Sequence, residues 1–503
     1  LGRYGTWRGE MFGQLVGIET SEEVTRWEVE PYLLAGGEKQ FRPESSETRL
    51  NGGGDLHYDF SQNLRGELSI RTDFAQVEAD QEVINFTRFP LFFPEKREFF
   101  LETAGLFNVG FEEEIMMFFS RRIGLSRGQE VPIVAAGKLS GRAGPYSLGI
   151  MNVQTEQTDL TGELQEPSTN YTVGRLKRDI FSNSSIGAVF TNNQANSSDF
   201  SRLLGFDGNL WFNPALKGEF LLARTFTPEG VRGDDLGIGR LIFSQWNIDA
   251  DLRYYAIGPD FVPEMGFVLQ NDLKRTSLDA RYTFWVNRAG IRNVQSLGTL
   301  FYDSLYNGDF YGRRGSAGVQ VTMESNDLFG YLYAPADERI YEPFSVGPLT
   351  IEPGDYANET HTLRFQSDAS RPVSVEVDYR VMDYWTGDRQ QLLLLNNFHP
   401  TSNLSIDFIY TYNTVEHPQG DFDTTTLSNR ILYAFTTDLF VKSYIQWNDL
   451  EERFSANVLL GWEYLPGSEL YIVYNEIQDR FESPSLSPRD RILLLKWTYN
   501  LRF

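Results

Sequence analysis

The chain of 503 residues is rich in aromatic residues, with 38 Phe, 25 Tyr and 9 Trp, and its formal net charge at pH 7 is -24. This acidity disfavours nucleic acid as a partner, because phosphate binding requires clustered Lys and Arg. The lack of cysteine excludes disulfide bonds and cysteine-based chemistry, and no apolar run reaches the roughly 18 residues of a membrane helix.

Leu1 begins a stretch rich in Gly and aromatic residues without a signal peptide, as expected of a mature or trimmed product. The Gly-rich residues 36–54 contain no phosphate-binding motif and predict a flexible outer loop. Between residues 75 and 130 neither period 2 nor period 3.6 persists, so this segment is predicted to be an insertion between strands.

Alternation of apolar and polar residues is the strongest signal in the rest of the chain. From Val373 to Val381 every odd-numbered residue is apolar and every even-numbered residue is polar or charged. Four further segments share the pattern: residues 276–286, 404–412, 454–464 and 470–474. Strands of about ten residues that end in Tyr, Trp or Phe are typical of tilted transmembrane strands. A soluble sandwich also alternates, but its strands are usually only about five or six residues long.

Short turn signals divide the chain at regular intervals. Eleven are found, at residues 62–63, 143–144, 183–184, 213–214, 245–246, 288–289, 326–327, 370–371, 400–401, 437–438 and 466–467. Each interval after the second leaves room for two strands and one longer loop. The sequence therefore predicts an all-β fold, a large antiparallel transmembrane barrel of about 24 strands with a range of about 20–26. Short turns and both termini would lie on the periplasmic side, with long loops outside.

The C-terminal sequence shows the same alternation of apolar and polar residues. In residues 491–503, Trp497, Tyr499 and the final Phe503 share the apolar face of an amphipathic strand. An aromatic residue at the end of such a strand resembles the signal that the assembly machinery of bacterial outer-membrane barrels reads. We therefore assign these three residues as the assembly signal and expect the chain to lie in the bacterial outer membrane.

Four stretches resemble an uncharacterised family of bacterial outer-membrane β-barrels, a domain of unknown function. They are TDFAQVEADQEVINFTRFPLFFPEKREFFLETAGLF (residues 72–107), FFSRRIG (118–124), AAGKLSGR (135–142) and NYTVGRLKRD (170–179). In that family the barrel usually follows a periplasmic domain similar to the carbohydrate-binding modules of family 9, and no part of this sequence resembles that module. Because the family has no established activity, the resemblance implies the fold and the location only. We expect a periplasmic lead-in over residues 1–24 and the barrel over residues 25–503.

The insertion of residues 75–130 is predicted to fold into the lumen as a plug or constriction. On a projecting loop its phenylalanines would form an exposed apolar patch, whereas inside the barrel they can pack together as a small core. These are Phe86, Phe89, Phe92, Phe93, Phe99, Phe100 and Phe107. The alternative is a groove that binds a ligand.

Charged residues interleaved with these phenylalanines are expected to pair with the lumen wall. The candidates are Arg88, Glu95, Lys96, Arg97, Glu102, Arg121 and Arg122 in the insertion, and Glu376, Asp378 and Arg380 on the wall. Among them, Glu95, Lys96 and Arg97 are predicted to hold the constriction.

These features predict a passive or gated channel for small polar solutes or cations, with selectivity set by lumen charges. The alternative is a non-conducting barrel that anchors a periplasmic or surface partner. An enzyme is not predicted, because the four histidines are scattered and none lies in a motif with Ser or Asp.

The expected partners follow from the location. They are outer-membrane lipid and lipopolysaccharide, the barrel assembly machinery and a periplasmic or surface protein, but not nucleic acid. No cofactor or metal is assigned, although the acidic loops at residues 233–235, 336–339 and 419–426 have the oxygen ligands that calcium prefers.

Overall fold

The computed structural model describes residues 26–71, 80–111, 113–126, 129–160, 164–228, 235–480 and 485–503. Over these ranges the chain forms a closed antiparallel barrel of 24 strands, the last of which is briefly interrupted near its end. The predicted fold class is confirmed. The predicted lead-in, residues 1–24, lies outside the described residues. Within the described ranges, no helix has the length and apolar character needed to cross a membrane.

The barrel strands follow one another in chain order, each paired with its neighbours in the sequence. They are β1 Trp27–Phe41, β2 Glu44–Ser61, β3 Leu64–Ile70, β4 Ile133–Ala143, β5 Tyr146–Thr155, β6 Asn170–Ile180, β7 Ser184–Asn196, β8 Asp199–Asn213, β9 Leu216–Phe226, β10 Asp235–Gln245, β11 Ile248–Ile257, β12 Leu273–Arg288, β13 Ile291–Ser304, β14 Phe310–Met323, β15 Leu328–Ile340, β16 Gly354–Gln366, β17 Val373–Tyr384, β18 Gly387–Thr401, β19 Leu404–Glu416, β20 Phe422–Ala434, β21 Leu439–Asn448, β22 Arg453–Leu465, β23 Ser468–Asp479 and β24 Ser487–Thr498, which continues at Leu501–Arg502. β1 closes the barrel by pairing with β24, from Tyr32 opposite Thr498 to Gln40 opposite Asp490.

The predicted turns coincide with the turns at one end of the barrel. Each signal lies at or beside the connection between an even-numbered strand and the next strand, as at residues 62–63 between β2 and β3. Both ends of the barrel sequence meet there too, since the backbone N–H of Phe503 donates a 2.9 Å hydrogen bond to the carbonyl O of Trp27. At the opposite end the loops vary widely, from the two residues 385–386 to the inward-folded residues 258–272.

Residues 36–54, predicted to be a flexible loop, belong instead to β1 and β2, where Gly36 lies opposite Arg49. The glycines permit close packing in the wall. A Cβ atom at Gly36 would collide with the carbonyl O of Leu493, and one at Gly53 would collide with the carbonyl O of Ile70. The high glycine content therefore reflects tight strand packing, not loop flexibility.

The two faces of the wall differ as alternation predicts. On β12 the side chains of Leu278 and Phe284 are exposed on the outer surface, whereas Arg281 faces inward and pairs with Asp249 of β11. Large exposed aromatic residues collect near the turn end: Trp27, Phe60, Phe181, Phe212, Trp246, Trp285, Phe435, Trp462 and Trp497. An apolar outer band bounded by aromatic residues is the surface that a lipid bilayer requires.

The described part of the chain between β3 and β4 folds inside the barrel. We call its residues 80–130, apart from 112 and 127–128, the inner segment. It contains the short helices Glu98–Leu101 and Ala104–Phe107 and the 3-10 turn Ser120–Arg122. Its strand Ile115–Met116 pairs with Phe267–Val268 from the loop between β11 and β12. This second inward-folded loop was not predicted from the sequence.

Candidate functional site in the barrel lumen

The inner segment contacts inward-facing side chains on strands around the whole barrel. At β21 and β22, Glu82 accepts a 2.6 Å hydrogen bond from Arg453, and its backbone N–H donates to Gln446 Oε1 at 2.7 Å. At β17 and β18, Tyr384 donates to the carbonyl O of Phe86, and the guanidinium of Arg389 lies 3.8 Å from the Phe86 ring centroid. These two contacts attach the N-terminal part of the segment to one side of the lumen.

Glu114 attaches the segment to the other side of the lumen. Its Oε1 accepts hydrogen bonds from Tyr255 (2.7 Å) and Arg275 (2.8 Å), and its Oε2 accepts one from Arg253 (3.0 Å). Arg275 is held in turn by Asp303 at 2.7 and 2.8 Å. Two guanidinium groups on one partly buried carboxylate form a charge-assisted anchor.

Glu82 and Glu114 were not among the predicted site residues. No local pattern distinguishes them from the other carboxylates of the insertion. For Glu114, only the register of β11 with β12 places Tyr255 directly opposite Arg275, so that both can donate to its carboxylate. The sequence therefore contained no signal that could have identified this anchor.

Glu95, Lys96 and Arg97 pair within the inner segment rather than with the wall as predicted. Arg97 donates to both carboxylate oxygens of Glu95, at 2.9 and 2.7 Å, and Ser120 donates to Oε2 at 2.7 Å. Arg97 also donates to the carbonyl O atoms of Ile123 and Ser120, at 2.7 and 2.8 Å. The cluster ties the start of the first helix to the 3-10 turn, so these residues shape the segment itself.

The contacts of this cluster lower the pKa of Glu95. Burial alone would raise the pKa, but the hydrogen bonds and charge of Arg97, with a further bond from Ser120, outweigh burial and lower it to about 2. The carboxylate is therefore ionised at neutral pH and acts as the central acceptor of the cluster.

Lys96 and Arg121 meet at a second carboxylate of the segment. Lys96 Nζ lies 2.9 Å from Asp80 Oδ1, and Arg121 pairs with the other oxygen of Asp80. Arg121 also donates to the carbonyl O of Pro94 at 2.8 Å. Both basic residues thus hold the segment's own fold.

Three other predicted residues of the insertion do reach beyond it. Arg88 pairs with Glu338 of β15 at 3.4 Å and lies 4.9 Å from the ring centroid of Tyr311. Arg122 donates to the carbonyl O of Gly266 at 3.3 Å. Glu102 accepts a 3.0 Å hydrogen bond from Lys138 of β4, but with its backbone carbonyl.

The predicted wall residues form a group of their own on β16 and β17. Asp378 is buried between Arg364 (2.5 Å) and Arg380 (3.2 Å), and Glu376 lies 3.9 Å from Arg364. Arg380 also donates to Gln391 at 3.3 Å. Their pairing partners in the described residues are on the wall, so the predicted pairing with the insertion is not found there.

The phenylalanines of the insertion occupy several separate sites instead of one core. Phe100 and Phe107 are buried among wall residues that include Met151 and Val153 of β5. The ring of Phe92 lies 5.1 Å from Phe119 and 5.3 Å from Phe267, while Phe86 packs on Tyr384. Lumen-facing apolar side chains are available at several places on the wall, so the rings are shared among them.

A cavity of about 260 Å³ lies against the wall strands β10 to β15, which supply all of its lining residues. Polar groups lining it include Asp249, Asp251, Asp279, Arg281 and Ser316. Arg281 pairs with Asp249 at 2.7 Å, and carboxylates outnumber this cation in the lining. The space can accept a small polar solute, and its charge favours a cation over an anion.

Of the three acidic loops that have the oxygen ligands calcium prefers, two are fully described. Residues 336–339 lie in β15, where Arg339 pairs with Asp355 at 2.6 Å and Asp337 pairs with Arg313. Residues 419–426 run from a loop into β20. Residues 233–234 lie outside the described part of the chain.

The predicted assembly residues lie at the seam between β24 and β1. The rings of Trp497 and Tyr499 stack with centroids 6.1 Å apart, and Phe503 is 70% exposed. The carbonyl O of Phe503 accepts hydrogen bonds from the backbone of Arg26 and Trp27, at 3.0 and 3.3 Å. Their role as an assembly signal stays a prediction.

Residues 23–202 match the family described as a domain of unknown function (DUF5916), which covers less than half of the chain. This match agrees with the resemblance inferred from the sequence, while the association with a carbohydrate-binding domain stays a prediction. Among curated proteins, none matches this chain in sequence.

Several solved barrels are similar to this chain over most of its length. OpdQ of Pseudomonas aeruginosa has 9% identity and a TM-score of 0.31, with 95% of this chain and 98% of that chain covered. The ferric yersiniabactin uptake receptor FyuA of Yersinia pestis has 8% identity and a TM-score of 0.39, with 94% and 80% covered. The siderophore receptor PiuA of Acinetobacter baumannii has 9% identity and a TM-score of 0.42, with 94% and 82% covered. At such TM-scores no residue role or activity carries over.

Proposed function

We propose that this chain is an outer-membrane channel, passive or gated, for small polar solutes or cations. The observation that carries the proposal is a closed barrel with a polar inner face, in which a cavity of about 260 Å³ lies against strands β10 to β15. In a barrel of this width strand side chains alone do not fill the lumen. The passage of solutes therefore depends on the inner segment, which occupies part of the lumen.

In this proposal the inner segment is the plug or constriction. Its attachments at Glu82, Phe86, Arg88 and Glu114 hold it across the lumen by polar and cation–π contacts with strands on different sides. Such contacts can be exchanged for water, unlike the continuous hydrogen bonding of the wall. A gated channel would open by releasing some of them.

Conductance in planar lipid bilayers tests the channel proposal. We expect few or small openings for the full chain, and a large cation-preferring conductance when residues 80–130 are replaced by a short Gly-Ser linker. Deleting residues 160–164 from the tip of the hairpin that joins β5 to β6 is the matched control, because it keeps the hydrogen bond of Ser126 to Glu166, and it should leave the conductance of the full chain unchanged. An inserted barrel without any ion-permeable state, with or without the inner segment, would contradict the proposal.

The second candidate is a non-conducting barrel that anchors a periplasmic or surface protein. The number of attachments around the lumen favours it, because a segment held at so many strands is costly to displace. The same recordings separate the two functions. A docking barrel stays closed in the full chain under every voltage and solute, and conducts only after the inner segment is removed.

The location and the partners belong to the same proposal. The exposed apolar band bounded by aromatic residues supports contact with outer-membrane lipid and lipopolysaccharide. The exposed Phe503 at the barrel seam supports recognition by the assembly machinery. Fractionation of cells that produce the chain should place it with the outer membrane, in a form that resists extraction by alkaline carbonate.

A further inference from the structure

A histidine and two carboxylates converge where the inner segment meets β2 and β3. His57 of β2 lies opposite Glu67 of β3, and Glu67 lies opposite Lys138 of β4. Glu102 follows the first short helix of the inner segment. One ligand atom from each of His57, Glu67 and Glu102 lies within 4.8 Å of the other two.

Two of these groups are buried without their full complement of hydrogen bonds. Glu67 is only 5% exposed, and its Oε1 has no hydrogen-bond donor. The Nδ1 atom of His57 is also buried without a partner. Buried polar atoms are nearly always satisfied in folded proteins, so an unpaired carboxylate oxygen and an unpaired ring nitrogen within one small group of side chains indicate a missing partner.

Lys138 does not complete this group. Its Nζ lies 2.7 Å from Glu67 Oε2, and it also donates to the carbonyl O atoms of Phe99 (2.7 Å) and Glu102 (3.0 Å). These three acceptors use the donors of the ammonium group. Lys138 therefore neutralises one carboxylate and leaves the rest of the group without a donor.

The surrounding charge also favours a cation. The carboxylates that interact electrostatically in this part of the lumen are Glu28, Glu30, Asp55, Asp59, Glu67, Glu98, Glu102 and Glu469, and the cations are Arg65, Lys138, Lys496 and Arg502. Carboxylates outnumber cations even with Lys138 included. A divalent ion placed among them lowers the repulsion between the acidic groups.

We propose that His57, Glu67 and Glu102 bind one divalent transition-metal ion, with Zn²⁺ as the best match to their donor atoms. Zn²⁺ accepts both imidazole nitrogen and carboxylate oxygen as ligands, with bonds of about 2.0–2.2 Å, and a site with three protein ligands leaves the fourth position for water. Tetrahedral bonds of that length place ligand atoms about 3.4 Å apart, so separations of up to 4.8 Å close with rotation of the side chains. Lys138 keeps its two carbonyl partners in that arrangement.

The ion would link the wall to the inner segment. His57 and Glu67 belong to the barrel, whereas Glu102 belongs to the segment, next to the helices Glu98–Leu101 and Ala104–Phe107. Bound metal is expected to hold these helices against β2 and β3. The proposal concerns metal binding alone and stands whether or not the barrel conducts.

The test uses the full chain, folded in detergent and freed of metal with a chelator. Calorimetric titration with ZnCl₂ is expected to give one equivalent of bound Zn²⁺ for the unmodified chain. The variants His57→Gln and Glu102→Gln should bind at least tenfold more weakly. The matched controls His399→Gln and Glu451→Gln alter exposed side chains of the same types and should bind like the unmodified chain.

Hydrogen exchange provides a second readout at the site. Zn²⁺ should slow amide exchange in residues 98–107 of the unmodified chain and have no such effect in Glu102→Gln. Glu102→Gln replaces one carboxylate oxygen with an amide group of similar size in the inner segment. It therefore tests the proposal even if His57→Gln fails to fold. Absence of stoichiometric binding, equal affinity in the ligand variants, or equal loss in the control variants would each overturn the proposal.

Discussion

Glu114 of the inner segment accepts a 2.8 Å hydrogen bond from Arg275, which lies far along the chain on β12. The same carboxylate binds Arg253 and Tyr255 of β11. One side chain thus connects the contents of the lumen to two neighbouring strands of the wall. It is the residue through which the attachment of the inner segment can be tested most directly.

Replacing Glu114 with Gln should loosen the C-terminal half of the inner segment. The change removes charge-assisted hydrogen bonds, which contribute about 1.5–3 kcal/mol each when buried, and solvent exposure of the site places the loss near the low end. We expect amide exchange in residues 109–119 to accelerate by roughly tenfold, as about 1.4 kcal/mol corresponds to a factor of ten. Mass-spectrometric hydrogen exchange measures this change.

Glu113→Gln is the matched control, because Glu113 is the exposed neighbour of Glu114 in the same acidic run. Its exchange rates should equal those of the unmodified chain. Equal acceleration in both variants would show that the effect reflects net charge and not the anchor.

The Glu95 cluster should make the inner segment sensitive to acid. Because the pKa of Glu95 is lowered from 4.5 to about 2, its stabilising contribution is complete above pH 4.5 and is lost as the pH falls towards 2. A shift of this size corresponds to about 3 kcal/mol. Protection of residues 95–123 from exchange, corrected for intrinsic rates, should therefore fall between pH 4.5 and pH 2.

Glu95→Gln should lower this protection at neutral pH and remove most of its acid dependence. The control Glu44→Gln changes an exposed carboxylate at the start of β2 and should keep the full dependence. An acid profile that is the same in Glu95→Gln and the unmodified chain would show that another group controls it.

Gly149 tests whether the second short helix is packed on β5. A Cβ atom at this position would lie 2.6 Å from Cζ of Phe107 and 2.9 Å from Cδ2 of Leu106. Gly149→Ala is therefore expected to push Ala104–Phe107 off the wall, at a local cost of about 1–3 kcal/mol. Faster exchange in residues 104–107 would report it.

Gly239→Ala is the matched control, because it makes the same substitution at a strand glycine where nothing lies within 4 Å of an added Cβ atom. It should leave exchange throughout the inner segment unaltered. If Gly149→Ala behaves in the same way, Phe107 does not pack where the structure places it.

The carboxylates of the lumen cavity should set the ion preference of an open barrel. Asp279→Asn removes one negative charge from the cavity lining, and we expect the permeability ratio of K⁺ to Cl⁻ to fall by roughly twofold. The reversal potential in a KCl gradient measures this ratio in the barrel that lacks residues 80–130. Asp309→Asn changes an exposed loop carboxylate and should leave the ratio unchanged.

The barrel could be predicted from the sequence because its determinants are local. Period-2 alternation, as from Val373 to Val381, requires only that one face meets lipid and the other meets the lumen. The eleven turn signals then fix how many strands the chain can form. Residues 36–54 were mispredicted because glycine marks loops and close strand packing alike, and only the neighbouring strands distinguish the two.

The contents of the lumen could be predicted only in outline. Aromatic residues among charges indicated that the insertion folds inward, because a projecting loop would expose them to water. Which charges pair could not be inferred, since Glu95 and Arg97 have partners within the segment while Glu82 and Glu114 reach the wall.

The sequence by itself determined the strand pattern, the turns, the even strand number and the inward course of the inner segment. Only the tertiary structure decided that Glu114 meets Arg275, that Glu82 meets Arg453, and that His57, Glu67 and Glu102 converge. The physical reason is that alternation depends on adjacent residues, whereas these contacts depend on barrel closure and strand register. Closure brings together side chains that are separated by many strands along the chain.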